Sequence, residues 1–380
     1  MVALRRSPMA PSRPLRRHLR TNLRMIVARL SVRKLDVGMR EAFTIAGGAH
    51  TTVRNVLVGV VLTDGTQGWG EGAPMPAFNG ETQNGILTAV RSVSSLLEGL
   101  PVDRPLLWGK KLDQAGLRAG SARAAIEIAL FDAWGRAART PLCALLGNGR
   151  AAVHSDVTVP IVDAATAQRS AARLWKRGTT TIKVKVGVDP ETDADRMAAV
   201  HAGAPRARLI ADANAAYDKR SALQFLLNLK QRRIRPALFE QPLPAGSLKG
   251  LHAVWKEGGI PIAADESACS AKDVVRIARA DAAQVINIKL MKSGILEGRL
   301  MTETAKALGL GLMIGGLVET RLSMTAAAHL ARALGGFSFI DLDTPFFLSK
   351  DPMRGSPLRP DGRYSLDHAR AGIGVQPRQN

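Results

Sequence analysis

Charged side chains follow a series of short apolar segments in the second half of the chain, at nearly constant intervals. Asp212 and Glu240 are 28 residues apart, Glu240 and Asp265 are 25 apart, and Lys289 follows Asp265 by 24 residues. Each interval matches one strand–helix repeat, so we expect these groups at the same height on consecutive strands of a barrel. One acid at a strand end could cap a helix, but three acids in register with lysines are poorly explained by capping.

The three acids predict a metal site. Converging carboxylates repel one another unless a cation lies between them, and Asp212, Glu240 and Asp265 offer oxygen ligands, which favour Mg²⁺ over zinc. A Mg²⁺ ion with open positions could hold a substrate carboxylate and stabilise the charge that forms when the adjacent carbon loses its proton. Asn214 and Glu266 are close to these ligands in sequence, and we expect them to position the ligands without binding the metal themselves.

The lysines predict acid–base chemistry. Lys185 and Lys289 fall on the second and sixth predicted strands, on opposite sides of an eight-stranded ring. A metal, a neighbouring cation and partial burial can lower the pKa of a lysine towards neutrality. One lysine on each face of a planar enolate would predict racemisation or epimerisation, whereas the alternative is that they are solvated strand ends. Lys183 shares a strand face with Lys185, and we expect it to contact the metal-bound carboxylate.

The elements that must position these residues alternate between strands and helices from about residue 153 onwards. Alternating short apolar strands and helices are typical of a parallel α/β barrel. Helices are predicted, for example, at 164–176, 222–229, 271–280 and 294–308. The strands are predicted at 157–161, 181–186, 208–211, 237–239, 262–264, 285–288, 312–314 and 337–340.

A different pattern precedes the barrel. It consists of strands at 26–36 and 52–64, a glycine- and proline-rich loop at 68–80 and helices at 82–97 and 121–138. We therefore expect an α+β domain at 25–150 and the barrel at 151–350. A C-terminal segment at 351–380 is expected to return to the first domain, and a basic, disordered tail is expected at 1–24.

Composition limits the class of protein. The 380 residues are 46% apolar and 22% charged, which is ordinary for a soluble globular chain. The net charge of +21 would suit nucleic-acid binding, but no such motif is present and aromatic residues make up only 4%. No apolar run is long enough to span a membrane. The two distant cysteines predict a reduced, cytoplasmic protein, which we expect to be a homo-oligomer.

Five motifs carry a family resemblance: Lys183-x-Lys185, Asp212-x-Asn214, Glu240-Gln241-Pro242, Asp265-Glu266-Ser267 and Lys289. Together they resemble the muconate-lactonizing-enzyme subgroup of the enolase superfamily. The segment 124–147 is also similar to the first-domain signature of that family. The resemblance implies a (β/α)7β modified TIM barrel with an N-terminal α+β capping domain. It also implies that capping-domain loops, here 46–52 and 70–79, close over the substrate.

Within that subgroup, Asp341-Leu342-Asp343 resembles the Asp-x-Asp motif of dipeptide epimerases. The resemblance implies that Asp341 and Asp343 hold the substrate α-ammonium, and alternate acids on one strand face suit a cation. The alternative is that they cap the following turn. Thr158 is implied to contact the substrate.

The side chain of the substrate is less defined by the motifs. His50 falls where some Ala-Glu epimerases carry an arginine, and histidine is a weaker carboxylate anchor. Arg54 is nearby on a predicted strand. Glu319, at the seventh strand, could instead face a basic or polar substrate side chain.

These observations predict an isomerase that acts on a small-molecule dipeptide. The predicted reaction is Mg²⁺-dependent epimerisation of the C-terminal residue of an L,L-dipeptide, by default L-Ala-L/D-Glu, by two-base 1,1-proton transfer through a metal-stabilised enediolate. Another reaction of the subgroup is the alternative: N-acylamino acid racemisation, o-succinylbenzoate synthesis or cycloisomerisation. A basic, nucleic-acid-associated protein is the remote alternative.

Overall fold

A computed structural model describes residues 25–45, 48–74, 76–355, 357–367 and 369–378. The predicted tail at 1–24 lies outside the described residues. The N-terminal part is a three-stranded antiparallel sheet in the order β1-β2-β3. Its strands are β1 (Val27–Ile45), β2 (Gly48–Leu62) and β3 (Gln67–Gly72). The helices beside it are α1 (Pro76–Asn79), α2 (Gln83–Leu97), α3 (Pro105–Gln114), α4 (Gly120–Ala137) and α5 (Leu142–Leu146).

The β1–β2 hairpin is longer than its apolar pattern indicates. Backbone pairing continues past Gly38, across an irregularity in the register, to Ile45 and Gly48. Residues 48–52 of the predicted closing loop are therefore strand, while Ala46 and Gly47 lie outside the described residues. The sequence underestimates this strand pair because side-chain burial, which sets the apolar alternation, becomes sparse beyond Val37.

Strand β3 occupies part of the segment predicted to be a loop. Gly68, Gly70 and Gly72 alternate along it and face α4. A Cβ atom at these positions would lie 2.3, 2.0 and 2.7 Å, respectively, from a backbone oxygen of α4. The glycines are therefore needed for close approach of helix and sheet, not for a turn.

Eight parallel strands form the second sheet, each hydrogen-bonded to the next in chain order. The amide of Asp156 donates to the Ile340 carbonyl at 2.7 Å and joins the first strand to the last. The strands are β4 (Val157–Val159), β5 (Thr181–Lys185), β6 (Arg208–Asp212), β7 (Leu238–Glu240), β8 (Ile262–Ala264), β9 (Val285–Lys289), β10 (Gly311–Gly315) and β11 (Phe337–Ile340). The predicted barrel with a capping domain is confirmed.

Seven helices among the described residues follow successive barrel strands. They are α6 (Ala164–Lys176), α7 (Pro190–Gly203), α8 (Lys219–Gln231), α9 (Leu248–Gly258), α10 (Ala271–Arg279), α11 (Leu290–Ala307) and α12 (Arg321–Leu334). Inward-facing apolar side chains form a layer inside the barrel, below the strand ends. This layer contains Ile210, Leu238, Ala263, Val285, Met313 and Phe339.

Buried polar contacts join helix α4 of the N-terminal part to a barrel helix and to the C-terminal segment. The Glu127 carboxylate on α4 accepts from the amides of Ile295 and Leu296 at 2.6 and 3.0 Å, at the start of the regular part of α11. The Asp132 carboxylate accepts from the Ile373 amide at 2.8 Å, so the C-terminal segment contacts the N-terminal part. No helix of the described ranges is long and apolar enough to cross a membrane.

Candidate active site

The register of the parallel sheet brings the predicted acids together. Lys185 pairs with Asp212, and Asp212 pairs with Glu240, at the carboxyl ends of β5, β6 and β7. Glu240 pairs with Ala263, and Asp265 lies two residues further on, so it points to the same face. All three acids are buried. The barrel therefore places a row of carboxylates at the face where barrel enzymes carry their chemistry.

Lys183 lies among these acids. Its Nζ is 2.8 Å from Asp212 Oδ2, 2.7 Å from Glu240 Oε2 and 2.7 Å from Asp341 Oδ2. The residue is only 1% exposed, so a solvated strand end is excluded for it. Burial alone lowers the pKa of Lys183, but Asp212, Asp341 and Glu240 outweigh burial and hold this pKa well above its usual value.

The two predicted proton-transfer lysines each contact one predicted metal ligand. Lys185 Nζ lies 2.6 Å from Asp212 Oδ2 and 2.9 Å from Asn214 Oδ1. Lys289 Nζ lies 2.6 Å from Asp265 Oδ2. Burial lowers the pKa of Lys289, but the charges of Asp265 and Glu240 outweigh burial and raise this pKa. The protein's own charges thus act on Lys289 in the direction opposite to the predicted lowering.

A fourth lysine was not anticipated from the sequence. Lys292 Nζ is 2.8 Å from Asp265 Oδ1 and donates to the Asp265 carbonyl at 2.7 Å. It stands three residues after Lys289, where the chain enters α11, and that one-turn spacing could have identified it. The Asp265 carboxylate is therefore held by one ammonium on each oxygen.

The donor set fits a hard divalent cation. Glu240 Oε1 accepts from Asn287 Nδ2 at 2.7 Å, and Glu240 Oε2 forms an ion pair with the Lys183 ammonium at 2.7 Å. Glu266 Oε2 is buried without a hydrogen-bond partner among the described residues. Carboxylate oxygens at one end of the barrel are the kind of ligand that Mg²⁺ prefers.

The carboxylates differ in their pKa values. Burial raises the pKa of Asp212 and of Asp265, but the neighbouring lysines outweigh burial and hold both well below their usual range. Burial and the charge of Asp212 raise the pKa of Glu240 to about 7. Burial and the charge of Asp265 raise the pKa of Glu266 to about 8. The neighbouring lysines thus stabilise the charged form of the two aspartates more than that of Glu240.

A narrow cavity of about 50 Å³ opens beside the row of acids. The predicted site residues that line it are Thr158, Lys185, Asn214, Asp265, Glu266, Lys289, Asp341 and Asp343. Val318 borders this cavity and also a larger one of about 590 Å³, which reaches Lys34 and Arg54 on the N-terminal sheet. The cavity lined by the predicted site residues is thus small, and a much larger one adjoins it at Val318.

The Asp341-Leu342-Asp343 segment is fixed from several sides. Asp343 Oδ2 accepts from the Thr158 amide at 2.6 Å, and the Tyr364 hydroxyl donates to the Leu342 carbonyl at 2.6 Å. Asp343 precedes a short 3-10 turn but makes no side-chain cap to it, so the capping alternative does not hold. Asp156, absent from the sequence-based prediction, lies against this pair. One carboxylate oxygen from each of the three aspartates lies within 4.8 Å of the other two.

His50 and Glu319 are the residues predicted to contact the substrate side chain. The backbone of His50 is part of β2 and pairs with Phe43, but its side chain lies outside the described residues. Strand β10 ends at Gly315, so the interpretation that the seventh strand runs to Glu319 is wrong. The Glu319 carboxylate is buried, accepts from the Leu317 amide and the Ser323 hydroxyl at 2.6 Å each, and does not line the narrow cavity. These bonds hold the loop that follows β10.

Comparison with known proteins agrees with this architecture. Residues 166–380 match the family described as enolase C-terminal domain-like. Residues 29–147 match the N-terminal domain of the mandelate racemase/muconate lactonizing enzyme family.

Relatives match over nearly the whole chain. The aromatic dipeptide epimerase of Herpetosiphon aurantiacus is 44% identical, covering 91% of this chain and 97% of its own. The L-Ala-D/L-Glu epimerase of Thermotoga maritima is 32% identical, with 90% and 99% covered. The dipeptide epimerase of Enterococcus faecalis V583, crystallised with Mg and L-Leu-L-Tyr, superimposes with a TM-score of 0.88 at 32% identity, with 92% and 99% covered. The chain therefore belongs to the mandelate racemase/muconate lactonizing enzyme family of the enolase superfamily, in which its relatives include dipeptide epimerases.

Proposed function

We propose that the protein is a Mg²⁺-dependent isomerase that epimerises the C-terminal residue of an L,L-dipeptide. One observation carries the proposal: Lys185 and Lys289, from the second and sixth barrel strands, line one narrow cavity together with Asp341 and Asp343. Two candidate bases thus approach from different sides of the ring, and the aspartates offer negative charge to a free amine. The named activities of the relatives support the same reaction.

In this reaction, one lysine in its neutral form takes the proton from the α-carbon beside the substrate carboxylate. The other lysine, as an ammonium, delivers a proton to the opposite face of the same carbon, so the configuration inverts. Asp212 and Asn214 orient Lys185, and Asp265 orients Lys289, through contacts of 2.6 to 2.9 Å. These contacts fix the direction from which each proton arrives.

Asp212, Glu240 and Asp265 would hold the metal, and Mg²⁺ when bound supplies positive charge opposite the substrate carboxylate. The protein keeps these ligands in place through buried amides. Asn287 donates to Glu240 at 2.7 Å, and Gln241 Oε1 accepts from the Asp265 amide at 2.9 Å. Fixed ligand oxygens of this kind reduce the reorganisation that substrate binding requires.

Two observations bear on the side chain of the residue that is epimerised. The 44% identity with an aromatic dipeptide epimerase favours an aromatic residue. Lys34 and Arg54 line the larger cavity that adjoins the site at Val318, which favours a carboxylate such as that of glutamate. We propose an aromatic residue as the first candidate and glutamate as the second.

The test is deuterium incorporation at the α-carbon in D₂O with Mg²⁺, using L-Ala-L-Phe, L-Ala-D-Phe and L-Ala-L-Glu. Lys185→Ala and Lys289→Ala should each lower epimerisation by about 10³-fold or more, because each removes one proton-transfer group. Each variant should also retain exchange, without inversion, from only one stereoisomer, and the two variants should retain opposite ones. Lys256→Ala, at an exposed ion pair, is the control and should behave as wild type.

Full exchange from both stereoisomers in both variants would contradict the two-base assignment. N-acetyl-L-phenylalanine serves as the comparison substrate for the wild-type protein. Faster turnover of this amide than of any dipeptide would favour racemisation of N-acylamino acids, because that substrate has no ammonium for Asp341 and Asp343 to bind.

A further inference from the structure

The buried carboxylate of Asp156 has no role in the reaction described so far. The residue is 1% exposed, and neither carboxylate oxygen has a hydrogen-bond partner among the described residues. A buried carboxylate without partners is strongly disfavoured unless something else satisfies it. Asp156 immediately precedes β4 and stands two residues before Thr158, so both side chains point into the barrel.

The surroundings of Asp156 place it at the floor of the Asp341–Asp343 site. Its amide donates to the Ile340 carbonyl at 2.7 Å, and the neighbouring Ser155 hydroxyl accepts from the Leu342 amide at 2.7 Å. These bonds fix β4 against the strand that carries the Asp341–Asp343 pair. Because Thr158 is nearer the carboxyl end of β4 and lines the cavity, Asp156 lies deeper in the barrel than the cavity wall.

The three aspartates bring carboxylate oxygens close to one point. Asp341 Oδ2 is engaged by the Lys183 ammonium and Asp343 Oδ2 by the Thr158 amide, at 2.7 and 2.6 Å. One oxygen from each of the three aspartates lies within 4.8 Å of the others. A primary ammonium has three N–H donors, and acceptors about 2.8 Å from its nitrogen in tetrahedral directions are about 4.6 Å apart. This separation between acceptors lies within the 4.8 Å limit of the aspartate cluster.

We propose that Asp156 is the third acceptor for the free α-ammonium of the substrate, so that the site selects a primary amine over a secondary one. This inference rests on the proposed dipeptide epimerase function and specifies how the amine end is recognised. Asp341 and Asp343 bind two of the N–H groups from the cavity wall, and Asp156 binds the third from below.

The charge balance supports a cationic ligand. Asp156 is faced by Asp341, Asp343, Lys183 and Glu240, so acids outnumber lysine in its surroundings. Burial, followed by the charges of Asp341 and Asp343, holds the pKa of Asp156 well above its usual value. Burial and the charge of Asp341 raise the pKa of Asp343 to about 7. A bound ammonium would add the positive charge that this cluster lacks.

The experiment measures binding by calorimetry and turnover, with saturating Mg²⁺, for L-Ala-L-Phe and for its N-methyl form. The wild-type protein should bind the primary amine at least about tenfold more tightly, because the secondary amine has one N–H fewer. Asp156→Asn removes the charge, and Asp156→Leu removes the acceptor. Both should raise KM for L-Ala-L-Phe about tenfold, change kcat by less than about threefold and reduce the preference for the primary amine.

Equal wild-type affinity for the two amines would overturn the proposal, whether or not the variants fold. An unchanged KM in folded Asp156→Asn would also overturn it. A loss of Mg²⁺ binding in that variant, measured without peptide, would overturn it as well, because it would identify the cluster as a metal site.

Failure of the proposed function gives a different result. No dipeptide would then exchange its α-hydrogen in D₂O, while amine-dependent binding would still decide the role of Asp156.

Discussion

Glu240 and Glu319 are both buried in the barrel part of the chain, and their surroundings differ. Burial raises the pKa of each to about 7, and Asp212 adds to this effect at Glu240. Glu240 lies in the row of proposed metal ligands, whereas Glu319 accepts bonds from Leu317 and Ser323. They form a matched pair for testing where the metal binds.

Glu240→Gln should weaken Mg²⁺ binding at least about tenfold, because an anionic ligand is replaced by a neutral amide. Glu319→Gln should leave Mg²⁺ affinity within about twofold of wild type, because that side chain bonds to Leu317 and Ser323 and lies outside the row of proposed ligands. Isothermal titration with Mg²⁺ after treatment with a chelator gives both affinities. Equal weakening in the two variants would argue against Glu240 as a ligand.

At the level of residues, the regular spacing of Lys185, Asp212 and Glu240 in the sequence predicts that they lie in one row. Residues that recur once per strand–helix repeat lie at the same height in a parallel barrel, and the strand pairing shows this row. Asp156 could not be found in this way. It lies before a strand instead of after one, and only closure of the sheet between Asp156 and Ile340 brings it beside the Asp341–Asp343 pair. Closure of the barrel depends on the stagger between its strands, which cannot be predicted from a single sequence.

Among the elements, β3 shows how a glycine-rich segment can be a strand. Gly70→Ala would place a Cβ atom 2.0 Å from the Ala125 carbonyl oxygen in α4. Helix and sheet would have to separate, and we expect a loss of about 1–3 kcal/mol or more in stability. Gly246→Ala is the control, because a Cβ there meets nothing within 4 Å.

Thermal unfolding measures both variants, and the midpoint should fall by several degrees for Gly70→Ala and by less than about one degree for Gly246→Ala. Similar midpoints in the two variants would show that α4 does not need the glycine face of β3.

Strand prediction from sequence succeeded in the barrel and failed at β3 for one physical reason. The barrel strands are mostly apolar because both of their faces are covered, as in Ile262–Ala264, where every residue is apolar and buried. Strand β3 is equally necessary to the fold, but the face that packs on α4 consists of glycines, which have no side chains. Glycine is read as a turn signal when the helix that requires it is not yet known.

For the whole molecule, His329 joins three regions. It lies on α12, its Nδ1 accepts from the Cys143 amide of α5 at 3.2 Å, and its Nε2 donates to the Ile373 carbonyl at 3.1 Å. This pattern requires the neutral ring, because the Cys143 amide can only donate. Burial lowers the pKa of His329 to about 4.

Because the folded-state pKa lies below that of the unfolded chain, the neutral ring contributes full stability above about pH 6.5. That stability is lost as the pH falls towards 4, and the loss is about 3 kcal/mol. His329→Gln keeps one donor and one acceptor without the titration, so its urea midpoint should fall less between pH 7 and pH 4.5 than that of wild type. Parallel pH dependence in the two proteins would contradict this prediction.

The hydrogen bond from the Ile373 amide to Asp132 joins a residue near the C-terminus to a helix of the N-terminal part, so it can form only late in synthesis. Asp132 also accepts from the Trp69 amide and from Arg136, so it is a central polar group of the N-terminal part. During synthesis, the ribosome releases residues 25–150 long before residue 373. The N-terminal part is therefore made first and completed last, and until then Asp132 lacks one of its buried partners. We expect nascent chains that stop before residue 373 to remain targets for chaperones even after the barrel has formed.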